Sequence, residues 1–284
     1  EIVDGHVDMN LNRAFALNAS MNNMEHIKID RSESFRHIIE RLSDYKAKHY
    51  EIAKPYDHIL RDYQKEGYQW LSTMCELQFG GILADDMGLG KTLQMIALLE
   101  SQSDSFSIVV CPSSLVLNWI DEFQKFAPMR KVKAVMGNAS ERHAIIKAAK
   151  QYQTLVTSYD YMRRDAQCYD DMTFDFIILD EAQYIKNQNT KNAKSVKLLH
   201  GTHKFALTGT PIENSLAELW SIFDFLEKDY LFNYHYFRQQ YESPIVKDHD
   251  EEKLKELKEM ISPFVLRRTK DIVLKELPDK VEKS

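Results

Sequence analysis

Short apolar runs alternate with longer amphipathic stretches through the middle of the chain. Six runs read as strands: 82–84, 106–110, 132–136, 154–157, 176–179 and 205–208. Most are near-continuous apolar runs without in-out alternation, which suits strands buried on both faces. The spacing therefore predicts a mostly parallel central sheet with helices on both sides, an α/β architecture. Helical periodicity fills the gaps at 91–99, 115–126, 141–150 and 191–199. Upstream, Phe35, Ile38, Ile39, Leu42 and Tyr45 recur at helical intervals behind a capping-box spacing of Asp30 and Glu33. That pattern predicts a helix of about four turns ending near Pro55, then a second over 62–77. After Leu216 the strands cease, and helices are expected at 216–226, 232–240 and 250–261. No segment repeats.

Composition narrows the classes. A hydrophobic share of 44% is enough to bury a sizeable core, and 284 residues suit one large domain or two small ones. The net charge of −6 argues against a wholly basic nucleic-acid binder but allows a local basic groove. Cys75, Cys111 and Cys168 are odd in number and form no CxxC pair, which argues against disulfides or zinc and for a cytoplasmic setting. No apolar run reaches the ~18 residues of a membrane span, so no membrane partner is expected. The chain opens on Glu1 and is read as a piece of a longer protein, with 1–50 the tail of an upstream region.

The strongest chemical signal is GGILADDMGLGKTLQM at 80–95. An apolar strand enters a Gly-containing loop that opens onto a helix at Lys91. Backbone N–H groups in such a loop cradle phosphate, and the helix N-terminus adds its dipole. Lys91 would reach the β- and γ-phosphates, and Thr92 would offer a hydroxyl to Mg²⁺. Asp85 stands where the strict pattern has its first Gly; a surface turn with a chance GKT is the plain alternative. A second signal is the run 176–179 ending in Asp180 and Glu181. Asp180 would hold Mg²⁺ and Glu181 would polarise an attacking water. Solvated acids at a strand end are the bland reading of that pair taken alone.

In order the chain shows LRDYQKEGYQWL (60–71), ILADDMGLGKT (82–92), IVVCPSSLVLNW (108–119), LVTSYDYM (155–162), IILDEAQYIKN (177–187) and ALTGTPIEN (206–214). This series resembles the Swi/Snf-type ATPases of helicase superfamily two, chromatin remodellers and their bacterial relatives, over about residues 55–284. DDMGLGKT is a usual form of the loop in that family. The resemblance implies a RecA-like P-loop lobe that binds ATP and Mg²⁺ and moves along double-stranded DNA without reading sequence. It implies a lobe over 51–228 and a helical extension and bridge over 229–284. A second RecA-like lobe would follow, carrying the arginine finger.

Carried over by position, Gln64 looks like the adenine reader. Asp86, Met87, Gly88, Leu89, Gly90, Lys91, Thr92 and Leu93 look like the nucleotide loop. Lys91, Asp180, Glu181 and Gln183 look catalytic, Gln183 replacing a usual His, and Thr208, Gly209 and Thr210 couple to the γ-phosphate. Pro112, Ser113, Ser114 and Asn118, with Thr157, Ser158 and Tyr159, match the DNA-facing motifs. Trp119 reads more readily as core than as a DNA-stacking ring. Lys186, Lys191, Lys194 and Lys197 read as a solvated face in preference to a phosphate track. Arg267 and Arg268 are expected to brace packing. The alternatives are an RNA helicase of the same superfamily and a non-catalytic nucleotide-binding scaffold. A nucleoprotein or polymerase partner stays unidentified.

Overall fold

The computed structural model describes residues 31–209 and 215–274, together with Ala14 and the short antiparallel pair β1 (Ile2–Val3) and β2 (His6–Val7). Asp30, Thr210 and the segment 275–284 lie outside the described residues. Seven strands form the main sheet: β3 (Gly81–Leu83), β4 (Ser107–Cys111), β5 (Val132–Ala134), β6 (Thr154–Ser158), β7 (Thr173–Asp180), β8 (His200–Leu207) and β9 (Val265–Leu266). All pair in parallel, in the order β5-β6-β4-β7-β8-β3-β9. Every residue of β3, β4 and β6 is buried, and the middle of each strand is apolar, while hydroxyl side chains such as Ser107 and Thr154 bond each other across the β4–β6 pair. Among the described residues no helix is long and apolar enough to cross a membrane.

The N-terminal helices differ from expectation. Helix α1 spans Glu33–Ser43 and is capped by Ser32, whose hydroxyl accepts from Phe35 N–H. Pro55 does not end a helix. It lies in the first turn of α2 (Lys54–Ile59), where a missing N–H costs nothing because first-turn donors have no intrahelical acceptor. Helix α3 (Asp62–Glu76) matches its sequence pattern and buries Tyr68, Trp70, Leu71 and Met74. The following helices α4 (Lys91–Ser101), α5 (Val116–Phe126), α6 (Ala139–Lys147), α7 (Tyr159–Asp165), α8 (Lys191–Lys197) and α9 (Leu216–Leu226) connect the strands or follow the last of the central ones. The pattern at 232–240 resolves into a helical turn, Tyr234–Phe237, followed by a wider π-turn segment, Arg238–Glu242.

Strands do not cease after Leu216. The chain returns to the sheet edge as β9, paired with β3 through Ile82↔Val265 and Leu83↔Leu266. Two residues carry no readable period, so sequence pattern could not show this strand. Its approach is packed by Phe264, which meets Phe79 and Tyr230 edge-on at 5.2 and 5.1 Å, while Trp70 donates to Pro263 O at 3.2 Å.

Just beyond β9, Arg268 reaches the strand-to-loop junction after β3. Its Nε donates to Asp85 Oδ1 at 2.9 Å, its backbone N–H reaches the same oxygen at 3.1 Å, and its Nη2 pairs with Asp85 Oδ2. Asp85 is fully buried and also accepts from Gln94 Nε2. The remaining Arg268 donors go to Tyr63 O and to Gln94 Oε1 at 2.8 Å. Every side-chain nitrogen of Arg268 and both carboxylate oxygens of Asp85 are therefore hydrogen-bonded, the condition under which a buried pair is tolerable. Removing one partner strands the other, at about 3–5 kcal/mol. Arg268→Ala should lower unfolding stability by that amount in a urea titration. Arg268→Lys should recover little of it, because an ammonium lacks the planar fork.

Candidate nucleotide site

Because the strands are parallel, their C-terminal ends lie along one edge of the sheet. From β9 inward the row of residues at or within two positions of each strand's end reads Arg268, Asp85, Thr208, Asp180, Pro112 and Ser158. Chemistry scattered over more than 180 residues is thereby collected by strand order alone, at about 4.8 Å per strand.

The loop after β3 turns through Gly88 and Gly90, at φ 87° and 75°. Gly90 caps α4, and a Cβ there would stand 2.3 Å from Gln64 Nε2. Lys91 Nζ donates to Asp85 O at 2.7 Å and to Asp86 O at 3.4 Å, so the ammonium lies across the mouth of its own loop. Burial lowers its pKa, and Asp85, Glu181, Asp180 and Asp86 oppose the drop. Asp86 accepts from Lys270 N–H and donates its own N–H to Arg268 O. The bridge after β9 therefore grips the loop at two successive residues. Met87 and Gly88 are exposed on the lip, whereas Leu89 is buried against Tyr63 and Val273.

Gln64 sits behind the loop, with its amide already engaged. Its Nε2 donates to Leu89 O at 3.1 Å, beside the Tyr63 hydroxyl, and its Oε1 accepts from Arg61 N–H at 3.0 Å. It is buried, and the two bonds make it a brace for the turn.

Across the cleft, Asp180 ends β7 almost fully buried. Its Oδ2 accepts from the Trp119 indole at 2.8 Å and its Oδ1 from Glu181 N–H at 3.0 Å. Burial raises its pKa, while the Trp119 bond pulls the other way. Glu181 adopts a left-handed backbone, φ 51°, which turns its side chain out of the strand line. Gln183 Nε2 donates to Glu181 Oε2 at 2.8 Å, and Gln183 Oε1 accepts from Thr208 at 3.2 Å. A chain of hydrogen bonds thus runs from the acid to the end of β8. Gly209 follows, where a Cβ would meet Met87 Cγ at 2.6 Å.

Lys91, Thr92, Leu93, Gly88, Gly90, Met87, Asp180 and Glu181 line one cleft of about 350 Å³. Leu115, Asn118, Trp119 and Glu122 from the start of α5 and the turn before it close its far wall. Oxygen donors from a carboxylate and a hydroxyl in one polar cleft are the set Mg²⁺ takes.

The segments expected to face DNA divide. Ser113 and Ser114 are exposed, and neither hydroxyl caps α5. Asn118 is exposed but lines the nucleotide cleft, and Pro112 is buried. Thr157, Ser158 and Tyr159 lie in the interior, all three buried. Ser158 caps α7 through Tyr161 N–H, and Tyr159 donates to Asp180 O at 2.9 Å while stacking on Tyr184 at 5.1 Å. Trp119 is core, 1% exposed, but sequence reasoning missed its polar end, since nothing in spacing joins it to Asp180. Lys197 pairs with Asp224 at 2.7 Å, while Lys186, Lys191 and Lys194 are exposed.

Comparison with known proteins agrees with this geometry. A family model described as the SNF2-related domain matches residues 63–284. The chain belongs to the SNF2-related family. It is 45% identical over 227 residues to an uncharacterized ATP-dependent helicase, MG018, of Mycoplasma genitalium, covering 78% of this chain and 22% of that protein. It is 40% identical over 265 residues to a putative ATP-dependent helicase/translocase, YwqA, of Bacillus subtilis, covering 90% of this chain and 29% of the relative. Among solved structures it is similar to the Sulfolobus solfataricus SWI2/SNF2 ATPase core in complex with dsDNA. That match has a TM-score of 0.72 and 42% identity, and covers 79% of this chain and 48% of the other. The SNF2-related chain therefore has a RecA-like fold and spans about a quarter of the length of these curated relatives.

Two outcomes follow for the site. A residue other than Gly in the left-handed region costs about 1–2 kcal/mol whether or not the loop is filled. Gly90→Ala should therefore lower unfolding stability by about that much in a urea titration. If Asp180 holds Mg²⁺ it does so as a carboxylate, and burial raises the pKa of that group. Mg²⁺-dependent nucleotide binding should thus be lost on acidification at a pH above the ~3.9 of an unperturbed Asp, as a pH series of a titration with a fluorescent ATP analogue would report.

Proposed function

We propose that this chain is the ATP-binding first lobe of a DNA-dependent ATPase that translocates on double-stranded DNA. The observation that carries the reading is the convergence of Lys91, Thr92, Asp180 and Glu181 on one cleft at the C-terminal edge of a parallel sheet. In this reading the loop N–H groups and Lys91 bind the β- and γ-phosphates. Asp180 and Thr92 would hold Mg²⁺, which neutralises phosphate charge as it builds. Glu181, held by Gln183, orients the attacking water and takes its proton. Thr208 receives the other end of that link, so a change at the γ-phosphate can move the end of β8.

Double-stranded DNA as the track is supported by the structural relative solved with dsDNA and by the word translocase in the B. subtilis relative's name. Ser113 and Ser114 are the exposed hydroxyls suited to a phosphate backbone, which they would grip without reading bases. We extend the reading to the division 1–50, 51–228 and 229–284, to a second RecA-like lobe in the intact protein, and to a cytoplasmic setting, associated with the nucleoid if the protein is bacterial.

The intact protein should hydrolyse ATP faster when duplex DNA is added, and Lys91→Ala and Glu181→Gln should abolish turnover. The 284-residue chain alone should be slower by about 10³–10⁵ for want of an arginine finger. A coupled ATPase assay with and without duplex DNA checks all three. Robust unwinding of RNA duplexes by the intact protein would favour the RNA helicase instead.

A further inference from the structure

The chain's tryptophans use their indole N–H groups differently. Trp70 and Trp220 donate to backbone carbonyls, of Pro263 and Phe232. Trp119 donates to an ionisable side chain, Asp180, at 2.8 Å. The bond is buried: Trp119 is 1% and Asp180 8% exposed. Trp119 is packed against Phe123 one turn on, with ring centroids 5.8 Å apart, so the donor is held by the core and not by solvent.

The carboxylate is consequently fixed at both ends. Oδ2 takes the indole and Oδ1 takes Glu181 N–H. Tyr159 holds the carbonyl of the same residue. Each carboxylate oxygen accepts more than one hydrogen bond, so these contacts orient the group without exhausting it. Trp119 itself reaches the cleft that holds Lys91 and Thr92.

We propose that Trp119 is a positioning residue that sets the orientation of Asp180 for a bound Mg²⁺, and that α5 thereby ties the segment opening at Pro112 to the metal end of the nucleotide cleft. This rests on the Mg·ATP reading of that cleft. Residues that orient a metal-holding group typically contribute tenfold to a hundredfold to metal affinity. Trp119 lies on the same short helix that follows Ser113 and Ser114. A displacement of that helix reaches Asp180 through a single side chain.

The test uses the full-length protein and the fluorescent nucleotide mant-ADP, titrated with Mg²⁺ and, separately, in EDTA. Trp119→Phe keeps an aromatic ring in the core and removes the donor. The Mg²⁺ concentration for half-maximal binding should rise about ten- to hundredfold. Binding in EDTA should stay unchanged, and the KM for ATP should return toward wild type at saturating Mg²⁺. In an Asp180→Asn background the same substitution should add nothing further to the Mg²⁺ requirement. Superimposable Mg²⁺ curves for wild type and Trp119→Phe would overturn the proposal. So would equal weakening with and without Mg²⁺, which marks a merely structural residue. Should Trp119→Phe not fold, the ¹⁵N-labelled wild type serves. Its Trp119 indole signal, identified by its displacement in Asp180→Asn, should shift with Mg²⁺ and ADP but not with ADP in EDTA; an unmoved signal overturns the assignment. A wild type with no Mg²⁺-dependent nucleotide binding overturns the nucleotide reading itself, and with it this one.

Discussion

The buried ion pair between Asp85 and Arg268 is the constraint on which the rest of the site depends. It joins the first residue of the phosphate loop to a residue 183 positions later. A carboxylate at zero exposure needs a partner with several donors in one plane, and the guanidinium supplies them while also bonding Tyr63 and Gln94. Tyr63 and Gln64 in turn brace Leu89, and Gln94 lies on the helix that Gly90 starts. The loop is therefore fixed at its entry, its middle and its exit by side chains that bond to its own backbone and to Asp85. Asp85, which departs from the strict glycine pattern, is what makes that fixing possible.

Parallel strand order does the remaining assembly. β8 lies between β3 and β7, so Thr208 stands between the phosphate loop and the acidic pair. That placement lets Gln183 span from Glu181 to Thr208 with two ordinary hydrogen bonds. An amide does this without titrating, so the link holds across the pH range in which a histidine at that position would change charge. The left-handed backbone at Glu181 is the cost of turning the acid away from β7.

Much of this was legible in the sequence. The apolar runs placed six of the seven strands within a few residues, because strands such as β4 and β3, buried on both faces, leave a near-continuous hydrophobic signature. The helix at Asp62–Glu76 and the pair of acids after 176–179 were equally plain. What stayed hidden depends on distance along the chain. β9 is two residues long and is defined by its pairing with β3, not by its own pattern. The Trp119 bond to Asp180 joins residues 61 positions apart. Tyr159 carried a motif-level expectation of surface contact, yet a ring that stacks on Tyr184 and bonds Asp180 O belongs to the interior. Pro55 was misread because the same residue that breaks a helix interior is well suited to a first turn.

The edge position of β9 also bears on how the chain is made. Synthesis is vectorial, and Arg268 leaves the ribosome long after Asp85. At roughly 5–20 residues per second, a gap of 183 residues is a delay on the order of 10–40 s. β8, the inner neighbour of β3, is complete at Leu207, so β3 can join the sheet before Arg268 emerges, while the Asp85 carboxylate still has no guanidinium to meet. The phosphate loop is thus the last part of the sheet edge to acquire its fixed shape, and a nascent chain acquires a finished nucleotide cleft only after the segment beyond β9 has emerged.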